Sequence, residues 1–207
     1  MRADKKIIQY FGKNLKKEKT IRQISLETKT PYMTVNRTIK ELAENNIITL
    51  KKQGKATICT INTDNPLTKQ HLILAEESYK NELIRKKPLL KKICQTLPEN
   101  NYSAILFGSY AKETEQKHSD IDIAFINQTP KKIQNELRTI EQIHDIEINT
   151  MNFTKKQFQN MLKAKEENIG KQILKNHVIL YNPELFWNIT YEIINAKKFI
   201  SKLDLML

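Results

Sequence analysis

With 207 residues, 39% of them hydrophobic and 28% charged, the chain is long enough to bury a core in one or two domains, and its composition is neither disordered nor fibrous. No apolar run is long enough to cross a bilayer, and Met1-Arg2-Ala3-Asp4-Lys5-Lys6 lacks the apolar centre of a signal peptide, so a cytoplasmic protein without membrane contact is expected. The net charge of +12 is uneven: residues 1–64 hold 14 Lys and Arg against 6 Asp and Glu, whereas residues 101–160 hold 7 against 8.

That asymmetry points to a polyanion partner for the N-terminal third, with a merely solubilising lysine surface as the competing reading. The first elements fit the former. Asp4 to Phe11 reads as a short helix with Ile7, Ile8 and Phe11 at helical spacing. Thr20-Ile21-Arg22-Gln23 is a capping box that opens a second helix, to Thr28. Thr30-Pro31 reads as N-cap and first turn of a third, on which Val35, Ile39 and Leu42 form the buried stripe. Residues 47–52 and 56–61 read as two strands of a hairpin joined by Gln53-Gly54-Lys55. Three short helices followed by a basic hairpin resemble a winged helix-turn-helix over residues 4–62. Burying Val35, Ile39 and Leu42 turns Met33, Arg37 and Lys40 outward, flanked by Thr34 and Asn36, a polar and basic face suited to the major groove of double-stranded DNA. Lys51, Lys52 and Lys55 would set a basic wing near the phosphates. An interaction module without DNA is the alternative use of the same fold.

Asn65-Pro66 marks a boundary and starts a connecting helix, with Leu72, Ala75, Tyr79 and Leu83 on one side, ending near Pro88. A second helix covers Leu89 to Leu97. Cys59 and Cys94 form no metal-like pair and read as small core residues in a reducing compartment.

The chemistry begins at Ile105-Leu106-Phe107, the end of a buried strand, where Gly108-Ser109 turn the chain and Ser109 is a plausible N-cap for a short helix reaching Lys112. A second strand runs from Asp120 to Ile126. Asp120 and Asp122 are two apart, so their carboxylates share one face while Ile121 and Ile123 share the other. Such a pair repels unless a cation sits between, and hard oxygen ligands suit Mg²⁺ held together with substrate phosphates. A glycine at the turn lets backbone N–H groups approach a phosphate.

Gly108-Ser109, ten residues, then Asp120-Ile121-Asp122 is similar to the signature of the polymerase-β-like nucleotidyltransferases, and within them to the minimal, antitoxin-type group that partners HEPN-domain toxins. The family usually has Gly after Tyr-Ala-Lys, where this chain has Glu113. The resemblance implies an α+β chain, with a small α/β core, transferring a nucleoside monophosphate, AMP by expectation, from ATP or another NTP to an acceptor such as a HEPN-type partner protein. It implies that Asp120 and Asp122 hold Mg²⁺ and that Gly108, Ser109 and Lys112 meet the β- and γ-phosphates.

After a turn at 127–130, an amphipathic helix is expected over 132–143, with Ile133, Leu137 and Ile140 along one face. A strand follows over 145–151. Ile146 and Ile148 face one side and Asp145, Glu147 and Asn149 the other, so isoleucines packed with Ile121 and Ile123 bring Glu147 to the aspartates. The superfamily has its third carboxylate there, which implies that Glu147 is a metal ligand and base, with Asp145 as the alternative. Thr154-Lys155-Lys156-Gln157 opens another helix, Glu166 to Asn176 a further one, and His177 to Tyr181 is a short apolar run. Asn182-Pro183 caps a last helix whose apolar face, through Phe186, Ile189, Ile193, Ile194 and Ile200, either packs on the sheet, the preferred reading, or pairs in a homodimer. The expected domains are a winged helix over 1–64, linker helices over 65–100, the nucleotidyltransferase core over 101–160 and a helical extension over 161–207. The competing functional reading is a DNA-binding regulator whose nucleotidyltransferase domain binds nucleotide and catalyses little.

Overall fold

A computed structural model describes residues 1–15, 17–127 and 131–203. The chain forms two compact units, residues 1–79 and 80–207.

In the first unit, α1 (Ala3–Lys13) is followed by a two-residue strand β1 (Lys19–Thr20), then α2 (Ile21–Glu27) and α3 (Tyr32–Glu44). The hairpin β2 (Ile48–Gln53) and β3 (Ala56–Ile61) comes next, and then α4 (Pro66–Lys86), within which the two units divide. The sheet order is β1-β3-β2, antiparallel throughout. Local chemistry accounts for most boundaries. The Thr20 hydroxyl accepts from the Gln23 backbone N–H at 3.2 Å, and the Gln23 side chain accepts from the Thr20 N–H at 2.9 Å, closing the capping box. Gly54 turns the hairpin at φ +58, a conformation that glycine adopts without steric cost. The third helix starts one residue later than expected: Pro31, not Thr30, is its N-cap residue, and no side chain caps it. Ile7, Ile8, Phe11, Ile24, Val35, Ile39, Leu42 and Ile47 make the core.

The second unit continues from α4 with α5 (Pro88–Thr96), β4 (Ser103–Phe107), α6 (Gly108–Lys112), β5 (Ile121–Ile126) and α7 (Lys131–His144). It is completed by β6 (Ile148–Phe153), α8 (Lys155–Lys163), α9 (Ile169–Lys175), β7 (Val178–Tyr181) and α10 (Pro183–Leu203). Its sheet runs β6-β5-β4-β7. β4 is antiparallel to β5 and β7, while β5 and β6 are parallel, joined by the crossover helix α7. The apolar face of α7 is as expected, with Ile133, Leu137 and Ile140 buried. Phe186, Trp187, Ile189 and Ile193 bury the described part of the α10 face; Ile200 and the chain end after Leu203 fall outside what is described at side-chain level.

Several boundaries in this unit shift by a residue or more from expectation, and three of the shifts have a clear local reason. Phe107, not Ser109, is the N-cap of α6, so Ser109 lies inside the helix. β6 begins at Ile148 rather than Asp145, because Asp145 takes the left-handed conformation, φ +49, that ends α7. α9 starts at Ile169, where the Asn168 side chain caps it by accepting from the Lys171 N–H at 3.1 Å.

Candidate functional site

β4 is buried along its whole length and β5 along all of it but Asp122, which is half-buried. Their antiparallel register sets Phe107 opposite Asp122, so the turn at Gly108 falls directly beside that carboxylate. Gly108 sits at φ +71, and a Cβ there would run into Asp122 Oδ2 and lie 3.1 Å from its Cγ. Glycine is therefore required twice over, by the backbone and by the side chain next to it. From Gly108 the chain makes the single short helix α6 and leaves it at Glu113, whose φ of +54 is the left-handed conformation that a glycine adopts more cheaply. The loop thus keeps a glycine-like turn with a side chain on it, and Lys86 lies 3.6 Å from the Glu113 carboxylate. Lys87 pairs with Glu115 in the same loop and sits over the Tyr110 ring, 5.6 Å from its centroid.

Asp120 is exposed, one residue before β5, and stands two positions from Asp122 as the alternation requires. Burial, and then the Asp120 charge, hold the Asp122 carboxyl above the usual aspartate range, while a hydrogen bond from Asn149 works the other way. The parallel register puts Asn149 of β6 opposite Asp122, and its Nδ2 donates to Asp120 Oδ2 at 3.3 Å. Alternation marks Asn149 as sharing a face with Glu147, but no motif singles out an asparagine, and its pairing with Asp122 is a cross-strand fact.

Glu147 is exposed and precedes β6 by one residue; its carbonyl accepts from the Ile121 N–H at 2.9 Å, which carries the register on so that its backbone runs beside Asp120. Among the described residues no three His, Cys, Asp or Glu side chains come close enough to hold a metal ion, so the structure brings Asp120 and Asp122 together without the Glu147 carboxylate. Asp145 is exposed in the turn before it. Lys112 is exposed at the end of α6, and Ser109 is half-buried within it.

The pair fits a divalent cation: two hard oxygen donors on one side of a strand, one of them raised by burial and then by its neighbour's charge, with a glycine making room for its carboxylate. A cation between them would offset both the lost hydration and the repulsion that raise Asp122.

In the first unit, α3 buries Val35, Thr38, Ile39 and Leu42 and exposes Met33, Arg37 and Lys40, with Thr34 and Asn36 half-buried between. Met33 is 73% exposed. Arg37 lies 3.8 Å from Glu41 one turn on. Lys51, Lys52 and Lys55 are all exposed around the hairpin turn. Neither Cys59 nor Cys94 is in a disulfide among the described residues, and burial pushes the Cys59 thiol up to about 11. No helix among the described residues is long and apolar enough to cross a membrane.

No curated protein and no solved structure matches the chain. The family described as Polymerase beta, Nucleotidyltransferase matches residues 90–202, more than half of the chain, and the matched span contains the Gly-Ser turn, both aspartates and the whole four-stranded sheet. The chain therefore belongs to the polymerase-β nucleotidyltransferase family.

Proposed function

We propose that the protein transfers a nucleoside monophosphate, AMP, from Mg²⁺-bound ATP to a hydroxyl of a partner protein of the HEPN type, and that its N-terminal unit binds double-stranded DNA. The observation that carries the transferase reading is the contact between the Gly108 turn and Asp122, with Asp120 two residues away on the same side of β5. Asp120 and Asp122 hold the cation, which when bound neutralises charge on the triphosphate. Gly108 and Ser109 offer backbone N–H groups to the β- and γ-phosphates, and Lys112 adds charge nearby. The acceptor oxygen bonds to the α-phosphorus, the bond to the pyrophosphate oxygen breaks, and pyrophosphate leaves. Glu147, whose backbone lies beside Asp120, takes the acceptor proton.

The DNA reading rests on a separate observation. The order of helix, strand, two helices and hairpin in residues 1–61, with α3 buried along Val35, Ile39 and Leu42, supports a winged helix whose exposed Arg37 and Lys40 enter the major groove while Lys51, Lys52 and Lys55 meet phosphates. A second functional reading follows from the exposure of Glu147: without a third carboxylate on the metal, the domain binds nucleotide and the protein acts as a DNA-binding regulator. Labelled ATP, Mg²⁺ and the protein encoded next to this chain's gene separate the two. Label transferred to the neighbour and lost in an Asp120→Asn, Asp122→Asn variant supports the enzyme. Mg²⁺-dependent ATP binding without transfer to any offered protein or RNA favours the regulator, and equal ATP affinity with and without Mg²⁺ refutes the site.

A further inference from the structure

We propose that Asn149 is a positioning residue for the acidic pair: its carboxamide donates to Asp120, stands opposite Asp122 in the strand register, and holds the two carboxylates convergent for a divalent cation. The proposal rests on the metal-bearing reading of Asp120 and Asp122. Left to themselves, two carboxylates on one face of a strand turn apart, because like charges repel. An amide nitrogen has two N–H donors and no net charge. It can therefore satisfy both anions without neutralising either, and the pair keeps the two negative charges that a divalent cation matches. A lysine here would occupy the cation's place, and an aspartate would give up the donors for a third negative charge that draws the cation directly. Each carboxylate has about four lone-pair positions, so one amide contact leaves room for a metal on the same groups.

The position supports this reading. β6 is an edge strand, and Thr150, Met151 and Asn152, its next three residues, are exposed. Asn149 alone among these four is half-buried, and its contact is to the acid before β5 rather than to solvent or to its own strand.

The test is the affinity of the full chain for Mn²⁺ alone, read by electron paramagnetic resonance of the free ion, with circular dichroism to show that each variant is folded. Partners of metal-binding groups of this kind typically alter affinity by roughly ten- to a hundredfold, so Asn149→Leu, of similar size and without donors, is expected to weaken Mn²⁺ binding at least about tenfold. Asn149→Asp, of the same shape but anionic, is expected to bind Mn²⁺ more tightly than the wild type. Opposite signs for the two variants are what a purely structural role would not produce. Wild-type or tighter binding by Asn149→Leu overturns the proposal, as does unchanged or weaker binding by Asn149→Asp if the leucine variant fails to fold. If Asp122→Asn abolishes Mn²⁺ binding and Asn149→Leu leaves it alone, only the role of Asn149 falls. If the wild type binds no Mn²⁺ at millimolar concentration, the metal site falls and the proposal with it.

Discussion

The two sheets of this protein treat charge in opposite ways. In the three-stranded sheet, β2 buries Ile48 and leaves the rest of the strand, with Lys51 and Lys52, in solvent. In the four-stranded sheet, β4 is buried throughout and β5 is buried save at Asp122. A lysine on an open strand costs nothing to keep, so its presence says little beyond solubility and an affinity for anions. A carboxylate at the mouth of a buried strand, beside a second carboxylate, loses hydration and meets repulsion, so its retention calls for a compensating ligand. The acidic pair is thus far better evidence of a site than the larger number of exposed lysines.

Substitution can break this contrast at its strong end first. Asp120→Asn with Asp122→Asn should lower nucleotidyl transfer by on the order of a thousandfold, the scale of lost electrostatic stabilisation at a reacting centre. Circular dichroism should stay unchanged, and label transfer from ATP measures the loss. Glu147→Gln should lower transfer by about a hundredfold if its carboxylate takes the acceptor proton, whereas Asp145→Asn, in the preceding turn, should cost little. The reverse ranking would move the role to Asp145, and no effect of either would remove the third carboxylate from this strand. Gly108→Ala should weaken Mg²⁺-ATP binding, measured by calorimetry, by more than roughly tenfold, because its Cβ displaces the Asp122 carboxylate and its φ is strained for alanine.

At the open end of the contrast the effects are smaller. Arg37→Ala with Lys40→Ala should weaken binding to the upstream duplex by roughly tenfold and relax the preference for that duplex over random sequence, as loss of groove contacts does. The same change at Lys197 and Lys198 should do less. A wild type with no preference for its own upstream DNA over random duplex would remove the regulator reading. Thr20→Ala and Thr154→Ala each delete one capping box, one per unit, and each should cost about 1 kcal/mol in chemical denaturation. Two transitions, each shifted by only one of the variants, would show that the units unfold separately.

What could be read from the sequence follows how far apart the interacting residues are. Both capping boxes, Thr20 with Gln23 and Thr154 with Gln157, form as their three-residue spacing implies, because the whole interaction lies within one turn. The faces of α3 and α7 are likewise set by spacing along one helix. Where two local rules competed, the boundary slipped by a residue or more: Thr30 yields the cap position to Pro31, and the turn at Asp145 delays β6 to Ile148. The Glu113 position shows a family habit explained by backbone, since a left-handed residue there is what a glycine supplies. Asn149 was out of reach because its meaning depends on the register between two strands joined through a helix, and single-chain periodicity does not encode that offset.

The place of β4 in its sheet has a consequence for how the chain is made. One of its edges pairs with β5, some fifteen residues downstream, but the other waits for β7, where Ala104 meets Tyr181 and Ile105 meets Ile179. During synthesis, Ser-Ala-Ile-Leu-Phe therefore emerges long before the strand that closes it, and a ribosome-bound chain ending before Val178 presents an apolar edge with unpaired backbone groups. The sheet that carries the aspartates is completed only once β7 has emerged, so any pause in translation between Ile126 and Val178 prolongs the interval in which nascent chains can pair with one another through that edge.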